Sequence, residues 1–242
     1  ESNELTFQAS VRNVFEKKRV LAVLRKQDIS FLNELKGRKD VYLVDLDGMH
    51  RKVGCVIMAS GKSVRFGGNK LFAELNGKTF LQRVLEVTEG IFVKRVVVTR
   101  DADAAEYCRA KGVDVIFHDL PFRSDTVRLG TDFMADMDGI VFCACDQPML
   151  RRESLLKLRN AFSFEQKELL RLAAKDKQGM PALFGKKYMD ELKNLPEGKG
   201  GSFVLKKHAD ELECIQVEDP LELFDVDTRE DLDILQKSAV FL

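Results

Sequence analysis

At 242 residues, the chain is long enough for one sizeable α/β domain with an appended segment, or for two small domains. Its 39 Lys and Arg residues balance its 39 Asp and Glu residues, and this zero net charge gives no electrostatic footprint for nucleic acid or an anionic membrane. The sequence has no run of 18 apolar residues, so no membrane-spanning segment is predicted.

Five cysteines are scattered along the sequence without the spacing of a disulfide framework: Cys55, Cys108, Cys143, Cys145 and Cys214. An odd number without such spacing favours reduced thiols and a cytoplasmic location. Cys143 and Cys145 fall on one face of a predicted strand, and the three histidines show no ligand spacing. Packing is therefore favoured over metal binding for this pair.

The first part of the sequence predicts a short βαβ-like segment, with strands over residues 19–24 and 41–46 and a helix over residues 29–36. A polar break then ends at residue 52. We therefore predict an N-terminal extension, residues 1–52, and a main domain, residues 53–242. The extension is either part of the main domain or the remnant of an upstream P-loop nucleoside-triphosphatase, which it resembles without a Walker A loop.

From residue 53 onward, predicted strands and helices alternate. Residues 53–59 form a continuous apolar run, which is typical of a parallel strand covered on both faces. Further strands are predicted over residues 95–99, 113–117, 140–144, 169–174 and 213–217. Helices are predicted over residues 79–87, 102–111, 126–134, 153–161, 186–195, 202–208 and 228–236. This alternation predicts an α/β fold, with a mainly parallel, Rossmann-like sheet and helices on both faces.

Ligands of such sheets lie outside the carboxyl ends of the strands, where the loops gather. Two features occupy that position. A glycine-rich loop over residues 60–69 follows the first strand of the main domain, and Asp146 follows the apolar strand over residues 140–144. The sequence alone leaves two interpretations of Asp146, a cap for the following helix or a ligand of a hard cation.

The glycine-rich loop has the composition of a phosphate-binding loop. Gly61, Gly67 and Gly68 let the backbone approach an anion closely, and Arg65 and Lys70 supply positive charge. The loop is not a Walker A motif, because that motif's first glycine is replaced by valine, and the glycine spacing of the dinucleotide fingerprint also fails. The alternative is an ordinary flexible surface loop. Its place directly after a buried strand favours phosphate binding.

The stretch from Met58 to Lys70 resembles the signature of the GT-A-like nucleotidyltransferases that attach CMP or GMP to the molybdenum cofactor. The matching positions are Ala59, Gly61, Ser63, Arg65, Phe66, Gly67 and Lys70. The sequence departs from the signature at Ser60, where the cytidylyl branch usually has Ala and the guanylyl branch Gly. Ser63 and the triplet that begins at Arg65 favour the cytidylyl branch.

Five further stretches resemble later motifs of the same family and follow in the same order: residues 124–130, 144–149, 179–184, 200–201 and 225–232. In the third of them Met180 stands where the family has Asn. The six motifs together extend over residues 53–236, which makes the resemblance specific.

The resemblance implies a role for particular residues. Lys70, Arg65 and Asp146 are expected to be catalytic, and Asp146 and Asp227 are expected to bind Mg²⁺. The expected nucleotide-binding residues are Met58, Ala59, Ser60, Gly61, Lys62, Ser63, Arg65, Lys70 and Arg128. Capping of the last helix is the alternative for Asp227, Asp225 is a weaker competitor as metal ligand, and Arg128 is either structural or nucleotide-binding.

The implied reaction is attack by a phosphate of molybdopterin on the α-phosphate of CTP or GTP, with release of pyrophosphate and with a molybdoenzyme as possible recipient. CTP is favoured, with residues 58–60 against the base. Neither nucleic acid nor a membrane is an expected partner. Two alternatives remain: a cytidylyltransferase for another small phosphate such as methylerythritol phosphate, and a nucleotide-binding regulatory domain without turnover. The departures at Ser60 and Met180 support the second.

Overall fold

A computed structural model describes the chain over residues 20–24, 41–45, 51–165, 167–175 and 177–239. The chain divides into two compact units, residues 1–50 and 51–242. In the first unit, β1 (Val20–Leu24) pairs in parallel with β2 (Val41–Asp45), which confirms both predicted strands. The predicted helix over residues 29–36 lies outside the described residues.

The second unit contains nine strands and seven α-helices within its described residues. The strands are β3 (Val53–Ala59), β4 (Glu74–Leu75), β5 (Lys78–Thr79), β6 (Lys94–Thr99), β7 (Asp114–Phe117), β8 (Gly139–Ala144), β9 (Leu169–Ala174), β10 (Lys177–Gly185) and β11 (Glu213–Gln216). The helices are α1 (Phe80–Thr88), α2 (Ala102–Ala110), α3 (Arg123–Phe133), α4 (Arg152–Glu165), α5 (Met189–Lys193), α6 (Ser202–Lys207) and α7 (Arg229–Ala239).

Seven strands form one sheet in the order β11-β9-β10-β8-β3-β6-β7. β3 is central and parallel to both β6 and β8, with Val56 opposite Val96 on one side and Phe142 on the other. Only β10 runs antiparallel to its neighbours in this sheet. The predicted α/β fold with a mainly parallel sheet is confirmed. The carboxyl ends of β3, β6, β7 and β8 consequently meet at one edge.

The sequence analysis missed β10 as a strand. Its residues include Gly179 and Pro181, and both residue types are depleted in strand interiors. The structure places them where the pairing of β10 with β9 shifts register, between Gln178 and Ala182. An irregular pairing tolerates a proline, because no ladder hydrogen bond from its nitrogen is needed there.

Helices cover both faces of the large sheet. Along β3, Cys55 and Ile57 belong to a buried cluster with residues of α1, α2 and α4, whereas Val56 belongs to a second cluster with residues of α3, α5 and α6. At Gly130 of α3, an added Cβ would lie 2.5 Å from a methyl group of Val56, so glycine permits the close helix–strand approach.

A third buried cluster joins the glycine-rich loop to the end of the chain. Phe66 of the loop packs with Leu75, Phe80, Val226 and residues of α7. This packing fixes one side of the loop to the segment that carries Asp225 and Asp227. Within the described residues, no helix has the length and apolar character required to span a membrane.

Candidate active site

The glycine-rich loop has a defined backbone. Ser63 and Gly67 adopt left-handed conformations, with φ of 49° and 69°, on either side of a 3₁₀ turn, Val64–Phe66. The buried Phe66 ring anchors this turn. A second 3₁₀ turn, Lys70–Phe72, begins after Asn69, whose side chain accepts from the Leu71 amide and donates to Asp101. The loop is thus held at both ends, and the backbone position of Lys70 is fixed.

Lys70 lies between two carboxylates. Its Nζ is 3.3 Å from Asp146 Oδ2 and 3.3 Å from Asp227 Oδ1. The Lys70 side chain is 13% exposed, so solvent screens these contacts less than it would on an open surface. Arg65 pairs with the other oxygen of Asp227 at 2.8 Å, but it is 72% exposed. The two cations and two carboxylates form one charged cluster, and Lys70 is at its centre.

Backbone contacts explain why Asp146 and Asp227 converge although 80 residues separate them. The Val226 amide donates to the Asp146 carbonyl at 2.9 Å, which joins the end of β8 to the segment before α7. The cap of α7 is made by Thr228 and Asp231: Asp231 accepts from the Thr228 amide, and the Thr228 hydroxyl accepts from the Asp231 amide. The Asp227 carboxylate therefore does not serve as this cap.

The Asp225 carboxylate has a different neighbour from that of Asp227. It accepts a hydrogen bond from Gln147 Nε2 at 2.9 Å. The contacts of Asp146 and Asp227 with Lys70 make those two residues the better pair for a cation. Cys145, next to Asp146, is no anionic competitor, because burial and the neighbouring carboxylate raise the pKa of its thiol well above the ordinary value.

The donor set fits a magnesium ion that also binds phosphate. Two carboxylates whose oxygens lie 3.3 Å from one atom supply hard oxygen ligands at one point. Mg²⁺ sites on phosphate substrates commonly use one or two carboxylates and complete their coordination with phosphate oxygens and water. Within the described residues there is no group of three metal-ligating side chains, so substrate oxygens are needed to complete such a site.

A cavity of about 280 Å³, here named the carboxylate cavity, opens above this cluster. It is lined by Met58, Ala59, Gly61, Lys62, Ser63, Val64, Arg65, Lys70, Leu71, Arg123, Cys145, Asp146 and Asp227. Nine of the eleven residues expected from the sequence to bind nucleotide or metal are in this set, and the other two are Ser60 and Arg128. The motifs after β3, after β8 and before α7 are therefore brought together.

A second cavity of about 710 Å³, the His118 cavity, adjoins the first, because both are lined by residues of the glycine-rich loop. Its lining is Ala59, Gly61, Lys62, Ser63, Val64, Gly68, Asn69, Leu71, Arg100, Asp101, Phe117, His118 and Asp119. The last five residues lie at or just beyond the carboxyl ends of β6 and β7. None was singled out from the sequence, although the same position rule at strand ends that identified Asp146 applies to Arg100 and His118.

Ser60 lies at the root of the loop and is not among the residues that line either cavity, so its nucleotide contact stays a prediction. Its hydroxyl is bonded to the Val98 carbonyl at 3.0 Å and to His118 Nε2 at 2.9 Å. Its carbonyl accepts from the Arg100 guanidinium at 3.0 Å. Ser60 therefore ties the loop to β6 and to the residue that follows β7.

Arg123 and Arg128 both belong to α3 but differ in surroundings. Arg128 pairs with the buried Asp125 at 2.8 Å and is not among the residues that line either cavity. Its predicted nucleotide contact remains a prediction, and the observed contact is structural. Arg123, which the sequence analysis did not select, lines the carboxylate cavity. α3 begins three residues earlier than predicted, and this extension includes Arg123.

This mostly parallel sheet, with a glycine-rich loop and two carboxylates at its carboxyl edge, belongs to the class of NTP transferase domains. The chain belongs to the family of the MobA-like NTP transferase domain, whose model matches residues 55–212. It is similar to a protein of Aquifex aeolicus (strain VF5) named a probable molybdenum cofactor guanylyltransferase, with 25% identity over 184 residues that cover 74% of this chain and 87% of that protein.

Two solved structures have the same fold. One is the molybdopterin-guanine dinucleotide biosynthesis protein A of Archaeoglobus fulgidus, with 20% identity, a TM-score of 0.61 and coverage of 78% of this chain and 100% of that chain. The other is a Mycobacterium tuberculosis H37Rv protein in complex with manganese, with 22% identity, a TM-score of 0.62 and coverage of 77% and 99%. At these identities the likeness concerns the fold.

Proposed function

We propose that this protein transfers a nucleotidyl group, CMP or GMP, from the nucleoside triphosphate to the phosphate of molybdopterin, with Mg²⁺ bound by Asp146 and Asp227. The observation that carries the proposal is the position of Lys70 Nζ, 3.3 Å from both carboxylates in the cavity under the glycine-rich loop. A lysine beside a pair of metal-binding carboxylates can neutralise the negative charge of the phosphates during nucleotidyl transfer.

The reaction exchanges one bond to phosphorus for another. An oxygen of the acceptor phosphate bonds to the α-phosphorus, while the bond from that phosphorus to the bridging oxygen breaks and pyrophosphate leaves with the electron pair. The nucleophile is already anionic, so the protein needs no general base. Catalysis then depends on alignment and charge, which Lys70, Arg65 and the loop amides supply. Bound Mg²⁺ supplies a Lewis acid for the phosphate oxygens.

The two cavities suggest how the substrates are arranged. The carboxylate cavity contains Lys70, Arg65 and Arg123 and accommodates the phosphates near Asp146 and Asp227. The His118 cavity is the larger, with a volume of about 710 Å³, and accommodates the nucleoside. Both are reached from the glycine-rich loop, whose amide groups lie between the two parts of a nucleotide in this arrangement.

The test is pyrophosphate release by the purified protein with Mg²⁺, molybdopterin and either CTP or GTP. Release should require all three components, and the product should contain one nucleoside monophosphate per molybdopterin. Methylerythritol phosphate serves as the matched rival acceptor. Pyrophosphate release with that acceptor but not with molybdopterin would contradict the proposed acceptor, and nucleotide binding without any release would indicate a regulatory domain.

A further inference from the structure

The wall of the His118 cavity combines an apolar surface with a few polar groups. Phe117 is 51% exposed and Val64 is 79% exposed, and both line the cavity. Exposed aromatic rings stack with any nucleobase, at about 1–3 kcal/mol per base, and therefore do not select one. Selection between bases must come from the polar side chains of the same wall. Given the proposed function, this wall is where the base of the nucleotide lies.

The hydrogen bonds of Ser60 determine the tautomer of His118. The Ser60 hydroxyl donates its proton to the Val98 carbonyl at 3.0 Å, so it can only accept from His118 Nε2 at 2.9 Å. Nε2 therefore carries the ring proton, and Nδ1 is an acceptor. The His118 residue is 9% exposed, and no hydrogen-bond partner reaches its Nδ1 within the described part of the chain. A buried polar atom without a partner is costly unless a ligand satisfies it.

Burial, more than the surrounding charges, favours the neutral form of the His118 ring. Burial lowers the pKa of His118, and the Arg100 guanidinium lowers it further, while Asp125 and Asp119 act in the opposite direction. Asp101 also lines the cavity, but its carboxylate accepts from the Ala104 amide and from Asn69. Near neutral pH, Nδ1 of His118 is therefore a buried acceptor, unpartnered among the described residues, in a residue of the cavity wall, and the exposed Asp119 lines the same cavity.

We propose that His118 is a specificity-determining residue whose Nδ1 accepts a hydrogen bond from the base, that Ser60 positions it, and that the pair favours guanine over cytosine. The Watson–Crick edge of guanine carries two adjacent donors, N1–H and the 2-amino group. Cytosine carries one donor, its 4-amino group, beside the acceptors N3 and O2. A wall of acceptors can pair with the two donors of guanine. It would face the acceptors N3 and O2 of cytosine, with which it cannot form hydrogen bonds. This reverses the preference for CTP expected from the loop signature.

Two matched substitutions separate recognition of the base by Nδ1 from the contact between His118 and Ser60. The side-chain oxygen of His118→Asn lies near the position of Nδ1, whereas His118→Gln places its amide near Nε2 and keeps the contact with Ser60. With Mg²⁺ present, the wild type should bind GTP at least about 5-fold more tightly than CTP, as measured by the two dissociation constants. One hydrogen bond can account for a difference of this size. The Asn variant should retain most of this preference and the Gln variant should lose it.

The controls cover folding and the wider proposal. His208→Ala removes a histidine that pairs with Glu191 and lies outside both cavities, and it should leave the preference unchanged. Ser60→Ala should lower the ratio of GTP affinity to CTP affinity, because the His118 ring loses the hydrogen bond that fixes its tautomer. Retained preference in the Gln variant, or equal binding of GTP and CTP by the wild type, overturns this inference alone. Failure of the wild type to bind either nucleotide overturns the proposed function as well.

A second measurement needs no substitution. As pH falls through the lowered pKa of His118, Nδ1 acquires a proton and becomes a donor, so the ratio of GTP affinity to CTP affinity should fall below about pH 6.5. Protonation of the triphosphate is common to both nucleotides and cancels in the ratio. A ratio that stays constant from pH 7.5 to 5.5 contradicts the role of Nδ1.

Discussion

The two cavities beside the glycine-rich loop differ in how their residues interact. In the carboxylate cavity, Lys70 contacts Asp146 and Asp227, and the groups are charged. In the His118 cavity, burial lowers the pKa of the ring, which is held through Ser60 and Val98. The difference separates two tasks: charge at a fixed point suits phosphate transfer, whereas oriented neutral donors and acceptors suit discrimination between bases. Substitutions in the two cavities should therefore have different signatures.

The largest effect is expected from Asp146→Asn. The neutral amide lacks the charge that holds Mg²⁺ and should abolish Mg²⁺-dependent pyrophosphate release. The matched variant Asp225→Asn should keep its response to Mg²⁺, because that carboxylate bonds to Gln147 and lines neither cavity. Titrations of activity with Mg²⁺ compare the two. Wild-type activity and metal response in Asp146→Asn would remove this residue from the metal site.

Lys70→Ala should lower the rate of nucleotidyl transfer by at least about 100-fold, since a cation positioned at the transition-state charge is lost. The control is Lys78→Ala, which removes an exposed lysine paired with Glu86 and should leave the rate unchanged. Steady-state kinetics on variants of equal circular dichroism make the comparison. A folded Lys70→Ala protein with near-normal turnover would show that the loop does not bind the reacting phosphates.

Arg123→Ala and Arg128→Ala should differ, although both arginines belong to α3. Arg123 lines the carboxylate cavity, and loss of one charge-assisted contact of about 1.5–3 kcal/mol predicts a fall in kcat/KM of roughly 10-fold or more. Arg128 pairs with Asp125, and its loss should change kcat/KM by less than about 2-fold while the melting temperature falls slightly. The reverse pattern would restore the role that the sequence motif assigned to Arg128.

The smallest effect concerns stability and pH. The pKa of His118 is lower in the folded protein than its ordinary value of about 6.5, so the unfolded chain binds more protons at acid pH. The contribution of this group to stability is present above about pH 6.5 and is lost as pH falls through the window below it. The melting temperature of the wild type should therefore fall more between pH 7 and 5.5 than that of His118→Gln. Parallel curves would contradict a lowered pKa.

Most strands and helices were predicted correctly because their signals are local. β3 and β8 are continuous apolar runs, and α1 and α4 carry apolar residues at helical spacing. β10 was missed because its sequence contains glycine and proline, and one of the two strands that it pairs with, β8, is distant in sequence. The helix predicted over residues 186–195 is divided into a 3₁₀ turn, Lys186–Tyr188, and the short α5. Tertiary contacts determined each of these outcomes.

The sequence by itself identified three charged residues of the carboxylate cavity. Lys70, Asp146 and Asp227 belong to short motifs beside recognisable strands and helices, and an isolated charge at a strand end is conspicuous in a sequence. Only the tertiary structure decided the other half of the site. His118 became a candidate because β6 and β7 bring it within 2.9 Å of Ser60, and Arg123 because α3 begins at the cavity. Such contacts depend on strand order and helix starts, which no local pattern of residues contains.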